Sequence, residues 1–378
     1  MRITTEYNNT YTDTEVSRRI FTYTATEKDE GRPARDIILY KWKMVHHDVA
    51  RAKYDTPNGI TVNGEVAYVN RRLHKGDVLQ VILTDFAPQN IVPENHPIEV
   101  VYEDEDIICL NKPAGVVAHP SHGHYSDSLA NYLAYYFQMK HEPHEIRTVG
   151  RLDKDTSGLI LFAKSRTMAA HMTEQAEKGI HTKTYYALAS GVFEDRRGRI
   201  EVPIEREFDG AQKRVAREGG DYALTDYEVI RQYEDYAFLR VHIATGRTHQ
   251  IRVHMNHIGH PLLGDPIYNP KCMPSKSFSD ERNVAVCLSR AAIDVGEDHL
   301  SVSTVYGGEE CLTRAAIDVG EEHPDFSEKY GGEKCLTRAA LHAGEITFYQ
   351  PFTGEDIVLR AEMPKDFLPY IFDLTAET

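Results

Sequence analysis

The chain has 378 residues, 41% of them hydrophobic, and a mean hydropathy of −0.48, which suits a soluble protein with more than one core. No apolar run approaches a membrane span, residues 1–16 lack the apolar centre of a signal peptide, and five cysteines give no disulfide framework, so a cytoplasmic protein is expected. The net charge of −15 argues against a polyanion partner for the chain as a whole, but its distribution is uneven: 13 acidic against 6 basic residues between Cys272 and Lys334, and 12 against 13 over residues 1–90.

Residues 1–20 are polar and Thr-rich and read as an N-terminal extension that frays or forms an edge strand. Residues 21–90 read as a small α+β unit. Pro33–Trp42 suits a helix with proline in its first turn, His46–Tyr54 a second helix, and Ile60–Glu65 a strand entering a turn. Three prolines fall within residues 86–97, and 91–97 is taken as a linker. From Ile98 a new pattern begins: an apolar hairpin through Leu110 ends in a Pro/Gly loop, and a helix is expected over Ser126–Phe137. Gly150–Gly158 is charged and turn-prone and feeds the buried run Leu159–Ala163. Ser165 caps a helix to about Lys178, and strands follow at His181–Gly191, Asp226–Ile230 and Ala237–Ile243. Strands and helices mix without strict alternation, which predicts an α+β fold with a mixed, largely antiparallel sheet.

Beyond Tyr268 a repeat of period 24 dominates, with copies starting at Cys287, Cys311 and Cys335. Only the third continues into the strand-like Leu341–Phe348. A tandem duplication over 287–334 inside a surface loop accounts for it better than a solenoid, which three copies do not build.

A turn at the mouth of a buried strand holds a polar side chain over a cleft, which makes Asp153 a candidate catalytic carboxylate; Arg151, Asp153, Lys154 and Asp155 also suit a plain solvated turn. The histidines at 119, 122 and 124 and at 249, 254, 257 and 260 have no zinc-site spacing and read as loop and helix-surface residues, and no phosphate-binding glycine loop is present. Asp153, Tyr185 and Arg247 remain, each on a strand-associated segment.

"GRLDKDTSGLILFAKS" (150–165) resembles the signature of the RluA-type RNA pseudouridine synthases. So, in the same order, do "NKPAGVVAHP" (111–120), "KTYYA" (183–187), "TGRTHQIRVHM" (245–255) and "GDPIY" (264–268). The resemblance implies a catalytic domain over 98–373 that detaches a uracil base in RNA, rotates it and rejoins it through carbon-5. The reaction consumes nothing and needs no cofactor or metal. It further implies Asp153 as nucleophile or base, Arg247 as the arginine that pairs with it, Tyr185 as the base-stacking tyrosine and Arg151 as the arginine that fills the gap left by a flipped base. Gly150 stands where many relatives have histidine. The 21–90 unit is similar to the ribosomal-protein-S-four-like RNA-binding module, with Arg35, Lys41, Lys43, Arg51 and Lys53 as its basic side chains. The implied partner is RNA, large-subunit ribosomal RNA before transfer RNA, bound by a monomer. The competing readings are a noncatalytic RNA-binding or ribosome-assembly factor on the same fold and a hydrolase using Asp153 with Asp155.

Overall fold

A computed structural model describes residues 2–7, 16–86, 91–121, 123–142, 144–270 and 336–371; the duplicated segment over 287–334 lies outside them. The N-terminal sheet has five strands, β1 (Arg2–Tyr7), β2 (Val16–Thr24), β3 (Ile60–Val62), β4 (Glu65–Val66) and β5 (Val78–Phe86), in the order β1-β2-β5-β3-β4. The expected boundary at residue 21 falls inside β2. Its alternation buries Arg19, Phe21 and Tyr23, and the threonines that made the segment look frayed are β-branched and suit a strand. Asn63 and Gly64, both at positive φ, make the tight turn between β3 and β4. Pro33 precedes α1 (Ala34–Asp36), which runs into a π-type turn over Ile37–Lys41, and α2 (His46–Tyr54) follows. Trp42 is fully buried against Phe21 and Tyr23 at the centre of this core.

The larger unit carries β6 (Val100–Glu103), β7 (Ile107–Lys112), β8 (Arg147–Val149), β9 (Ser157–Ala163), β10 (Thr182–Ser190), β11 (Arg197–Glu201), β12 (Ile204–Arg206), β13 (Arg214–Ala216), β14 (Leu224–Gln232), β15 (Tyr236–Ile243), β16 (Leu341–Gln350) and β17 (Glu355–Arg360). Ten of them form one sheet, in the order β11-β14-β15-β10-β16-β9-β7-β6, with β17 on β16 and β8 on β9; β12 and β13 make a separate ribbon. Every pairing is antiparallel except β9 with β16. The helices are α3 (Leu129–Lys140), α4 (Arg166–Glu177), α5 (Gln250–His257) and α6 (Leu368–Ile371). The α+β expectation holds. Among the described residues no helix is long and apolar enough to cross a membrane.

β9 is buried along its whole length because both sheet faces are covered. Ile160 and Phe162 pack with α3 through Leu129, Leu133 and Phe137, while Leu159 and Leu161 pack with α4 through Met168 and Met172. Ser128 and Ser165 cap these two helices.

The two units are pinned together. Buried Arg19 on β2 pairs with buried Asp106 at 2.6 Å and donates to the Glu105 carbonyl at 2.9 Å. Asp48 of α2 accepts from Thr167 of α4, His171 Nε2 lies 3.1 Å from the Trp42 carbonyl, and Lys43 pairs with Glu174.

Candidate active site

Asp153 lies in the turn from β8 to β9, half-buried, with its backbone tied at three successive carbonyls. The Asp153 carbonyl accepts from Thr156 N–H at 3.2 Å, and that of Lys154 from Gly115 N–H at 2.9 Å and Lys112 Nζ at 2.8 Å. The Asp155 carbonyl accepts from Arg338 Nη1 at 3.1 Å. Lys112 is fully buried and gives its other two protons to the Pro113 and Val116 carbonyls, so one ammonium joins the Pro/Gly loop to this turn. Arg338 is itself held by a bidentate pair with Asp366. On the strand side Ser157 Oγ lies 3.0 Å from His342 Nδ1 of β16. Gly158, read from sequence as a turn residue, is the second residue of β9. Its φ is +108°, and a β-carbon there would sit 2.2 Å from the Ala343 carbonyl oxygen. A hydrogen-bonded turn on a buried strand makes Asp153 a fixed carboxylate.

Tyr185 is brought to it. This tyrosine is buried on β10 between Val241 of β15 and Ala343 of β16, beside a bulge in the β16 register. Burial, and then the Asp153 charge, push its phenol above the usual range. Three side chains from the α5 region feel the same charge. Arg252, on the inward side of α5, is 3% exposed and forks onto Asp265 at 2.6 and 2.7 Å. Burial works against its charge, but the Asp265 bond and carboxylate, and then Asp153, hold it above the ordinary range. His249 opens the helix in left-handed backbone (φ +57°) and sets Nδ1 3.1 Å from Tyr268 Oη. Burial lowers its proton affinity, opposed by Asp153. Burial likewise raises the phenol of Tyr268, with a smaller contribution from Asp153.

Arg247 is the correction. It does not pair with Asp153: its Nε donates to the Tyr222 carbonyl at 3.0 Å, and its Nη1 is 3.9 Å from Asp221. It lines a cleft of about 530 Å³ with Arg151, Arg206, Arg214 and Thr248. The physical reason is helix geometry. Arg247 precedes α5 and stays at the surface, whereas Arg252, five residues on, falls on the buried face. Arg252, His249 and Tyr268 stand inside motifs quoted from the sequence, but spacing alone did not separate the two arginines. His254, read as a helix-surface residue, is fully buried between Thr225 Oγ1 and the Val202 carbonyl, each 2.9 Å away.

In the N-terminal unit Arg35 and Lys53 are exposed, and Lys53 lies over the Tyr54 ring at 4.6 Å. Arg51 is half-buried. Lys41 donates to Tyr23 Oη at 3.0 Å, and Lys43 is committed to Glu174.

A turn-mounted carboxylate, a buried tyrosine and an arginine-lined cleft are the equipment of an enzyme acting on a polyanion. Residues 106–257 match the family model described as RNA pseudouridylate synthase. The chain is 37% identical to an uncharacterized RNA pseudouridine synthase of Bacillus subtilis, over 55% of this chain and 70% of that one. It is 35% identical to the ribosomal large subunit pseudouridine synthase D of Pasteurella multocida, over 62% and 73%. It is 39% identical to an uncharacterized RNA pseudouridine synthase of Aquifex aeolicus, over 56% and 69%. The solved structure of human RNA pseudouridylate synthase domain containing 1 aligns over 73% of this chain and 86% of its own, at 22% identity and a TM-score of 0.46. The chain belongs to the RluA-type RNA pseudouridine synthase family: it is an isomerase, and its substrate is RNA.

Proposed function

We propose that this enzyme isomerises particular uridines of large-subunit ribosomal RNA, with Asp153 as its catalytic carboxylate. One observation carries the residue assignment. Asp153 is a half-buried carboxylate with no ion-pair partner within 4 Å among the described residues, on a turn whose three carbonyls are all tied, beside buried Tyr185. The substrate reading is supported by the relative named ribosomal large subunit pseudouridine synthase D.

In this reading the target uridine leaves its stack and enters beside Asp153, which acts at the anomeric carbon or on a sugar proton. Arg252, held in place by Asp265, is the buried cation that feels the Asp153 charge, and it takes the part that the sequence reading gave to Arg247 as the arginine partner of Asp153. Tyr185 stacks on the released uracil and moves the proton at carbon-5 as the base rejoins the sugar. Arg151 and Arg247, on the cleft, contact the RNA around the flipped nucleotide. The N-terminal unit adds an S-four-like RNA surface through Arg35, Arg51 and Lys53, with Lys41 and Lys43 supporting it from their internal contacts. A ribosomal RNA substrate goes with a cytoplasmic monomer.

Pseudouridine mapping of total RNA tests this, in cells lacking the gene and complemented with wild type or Asp153→Ala. The expected result is one or a few large-subunit sites lost and restored by wild type alone. Sites restored by Asp153→Ala would remove Asp153 from the chemistry, and lost sites confined to transfer RNA would replace the substrate.

A further inference from the structure

The ribbon β12–β13 places Arg206 directly opposite Arg214. Like charges at facing positions of an antiparallel pair repel, and a two-stranded ribbon has little else to offset the cost. Neither guanidinium has a carboxylate partner among the described residues. Arg206 donates to the Ala211 carbonyl at 3.3 Å, and Arg214 Nε is buried without a hydrogen-bond partner. The proton affinity of Arg214 is lowered, first by burial and then by the positive charges of Arg206 and Arg151. The acids nearby are engaged at the rim, Glu205 with Arg217 at 2.6 Å and Asp221 3.9 Å from Arg247. Four guanidiniums, those of Arg151, Arg206, Arg214 and Arg247, therefore line one cleft of about 530 Å³ against two carboxylates, Glu205 and Asp221, neither of which forms an ion pair with Arg206 or Arg214.

We infer that Arg206 and Arg214 together grip one backbone phosphate of the RNA, next to the flipped nucleotide. The inference rests on the RNA-modifying reading above and adds to it a defined phosphate site. A phosphodiester offers two charged oxygens to two planar forks, which satisfies the buried donor and turns the cross-strand repulsion into shared attraction. The ribbon is coupled to the reacting carboxylate through short steps. The main-chain N–H of Arg214 donates to Tyr268 Oη at 2.9 Å, Tyr268 Oη lies 3.1 Å from His249 Nδ1, and both rings feel the Asp153 charge. A phosphate held here fixes one nucleotide at a set distance from Asp153. Glycine keeps the cleft floor close-packed, since a β-carbon on Gly220 would meet the Ile204 carbonyl carbon at 2.8 Å.

Two measurements on the full chain test it. The first follows the arginine Nε resonances of Arg206 and Arg214 by NMR during titration with inorganic phosphate at constant ionic strength. Saturable shifts with phosphate and none with chloride are expected, abolished for Arg214 in Arg206→Gln; no phosphate-dependent shift overturns the site. The second measures binding of transcribed large-subunit RNA against salt. Arg206→Gln and Arg214→Gln should each lower the slope of log affinity against log salt by about 1, with Arg206→Lys retaining most of it. Unchanged slopes in both glutamine variants, while wild type modifies that RNA, overturn the assignment. Wild type that leaves the RNA unmodified instead defeats the substrate reading, and the phosphate titration then decides the site by itself.

Discussion

Position 150 shows how much one missing side chain sets at the residue scale. Gly150 has φ of +74°, and a β-carbon there would meet Lys183 Nζ at 3.2 Å, the ammonium that donates to the Val149 carbonyl at 3.3 Å. The histidine common in relatives is thus poorly matched to this backbone. Gly150→His should cost about 1–2 kcal/mol through left-handed strain, read as a lower urea midpoint. Tyr185→Phe should behave in the opposite way, keeping stability and RNA affinity while slowing single-turnover isomerisation by about 100-fold or more. The candidate site was legible in part at this scale. Asp153 stood out because turn residues precede an apolar run, but the choice between Arg247 and Arg252 depends on where α5 begins. That start is fixed by His249 in left-handed backbone, a conformation that residue spacing does not encode.

Single strands carry a different set of consequences. β16 brings His342 to the back of the catalytic turn, where burial holds its proton affinity down to about 4. The unfolded chain takes that proton near pH 6.5. Between those values the unfolded state binds more protons, so acid destabilises the fold, and the loss from this residue should be about 2 kcal/mol at pH 5. Urea unfolding from pH 7 to 4.5 checks this, with a shallower acid decline expected in His342→Gln. His181, lowered to about 4 for the same reason, adds a second share of the decline. The elements read best from sequence were those whose pattern is local: β9 as an unbroken apolar run, β10 as an alternation, β15 as a further strand, α4 by its serine cap. The stretch through β11, β12 and β13 was not read as strand. It is charged and glycine-interrupted, and two of its strands have only three residues each, formed by pairing rather than by a repeating pattern.

Across the whole molecule the two units share a buried ion pair, so they should unfold as one. Arg19→Met leaves Asp106 without its cation, and should cost about 3–5 kcal/mol and split the single calorimetric transition into two. Burial already raises the Asp106 carboxyl to about 7, with Arg19 the main opposing influence. A raised carboxyl favours the folded state at low pH, so the defect should be smaller at pH 6 than at pH 8, and adding Asp106→Asn should recover part of it.

The ties on the catalytic turn also have a bearing on time. Asp155 accepts from Arg338 across 183 residues of sequence, and Ser157 meets His342 across 185. At ordinary translation speeds the ribosome needs roughly 10–40 s to make a stretch of that length. During this interval Asp153 is already outside or nearing the exit, but the strand that braces its turn does not yet exist. Until Arg338 and His342 have been made and β16 has docked beside β9, the turn that carries Asp153 lacks its bracing, so the fixed geometry of this carboxylate is one of the later features to form.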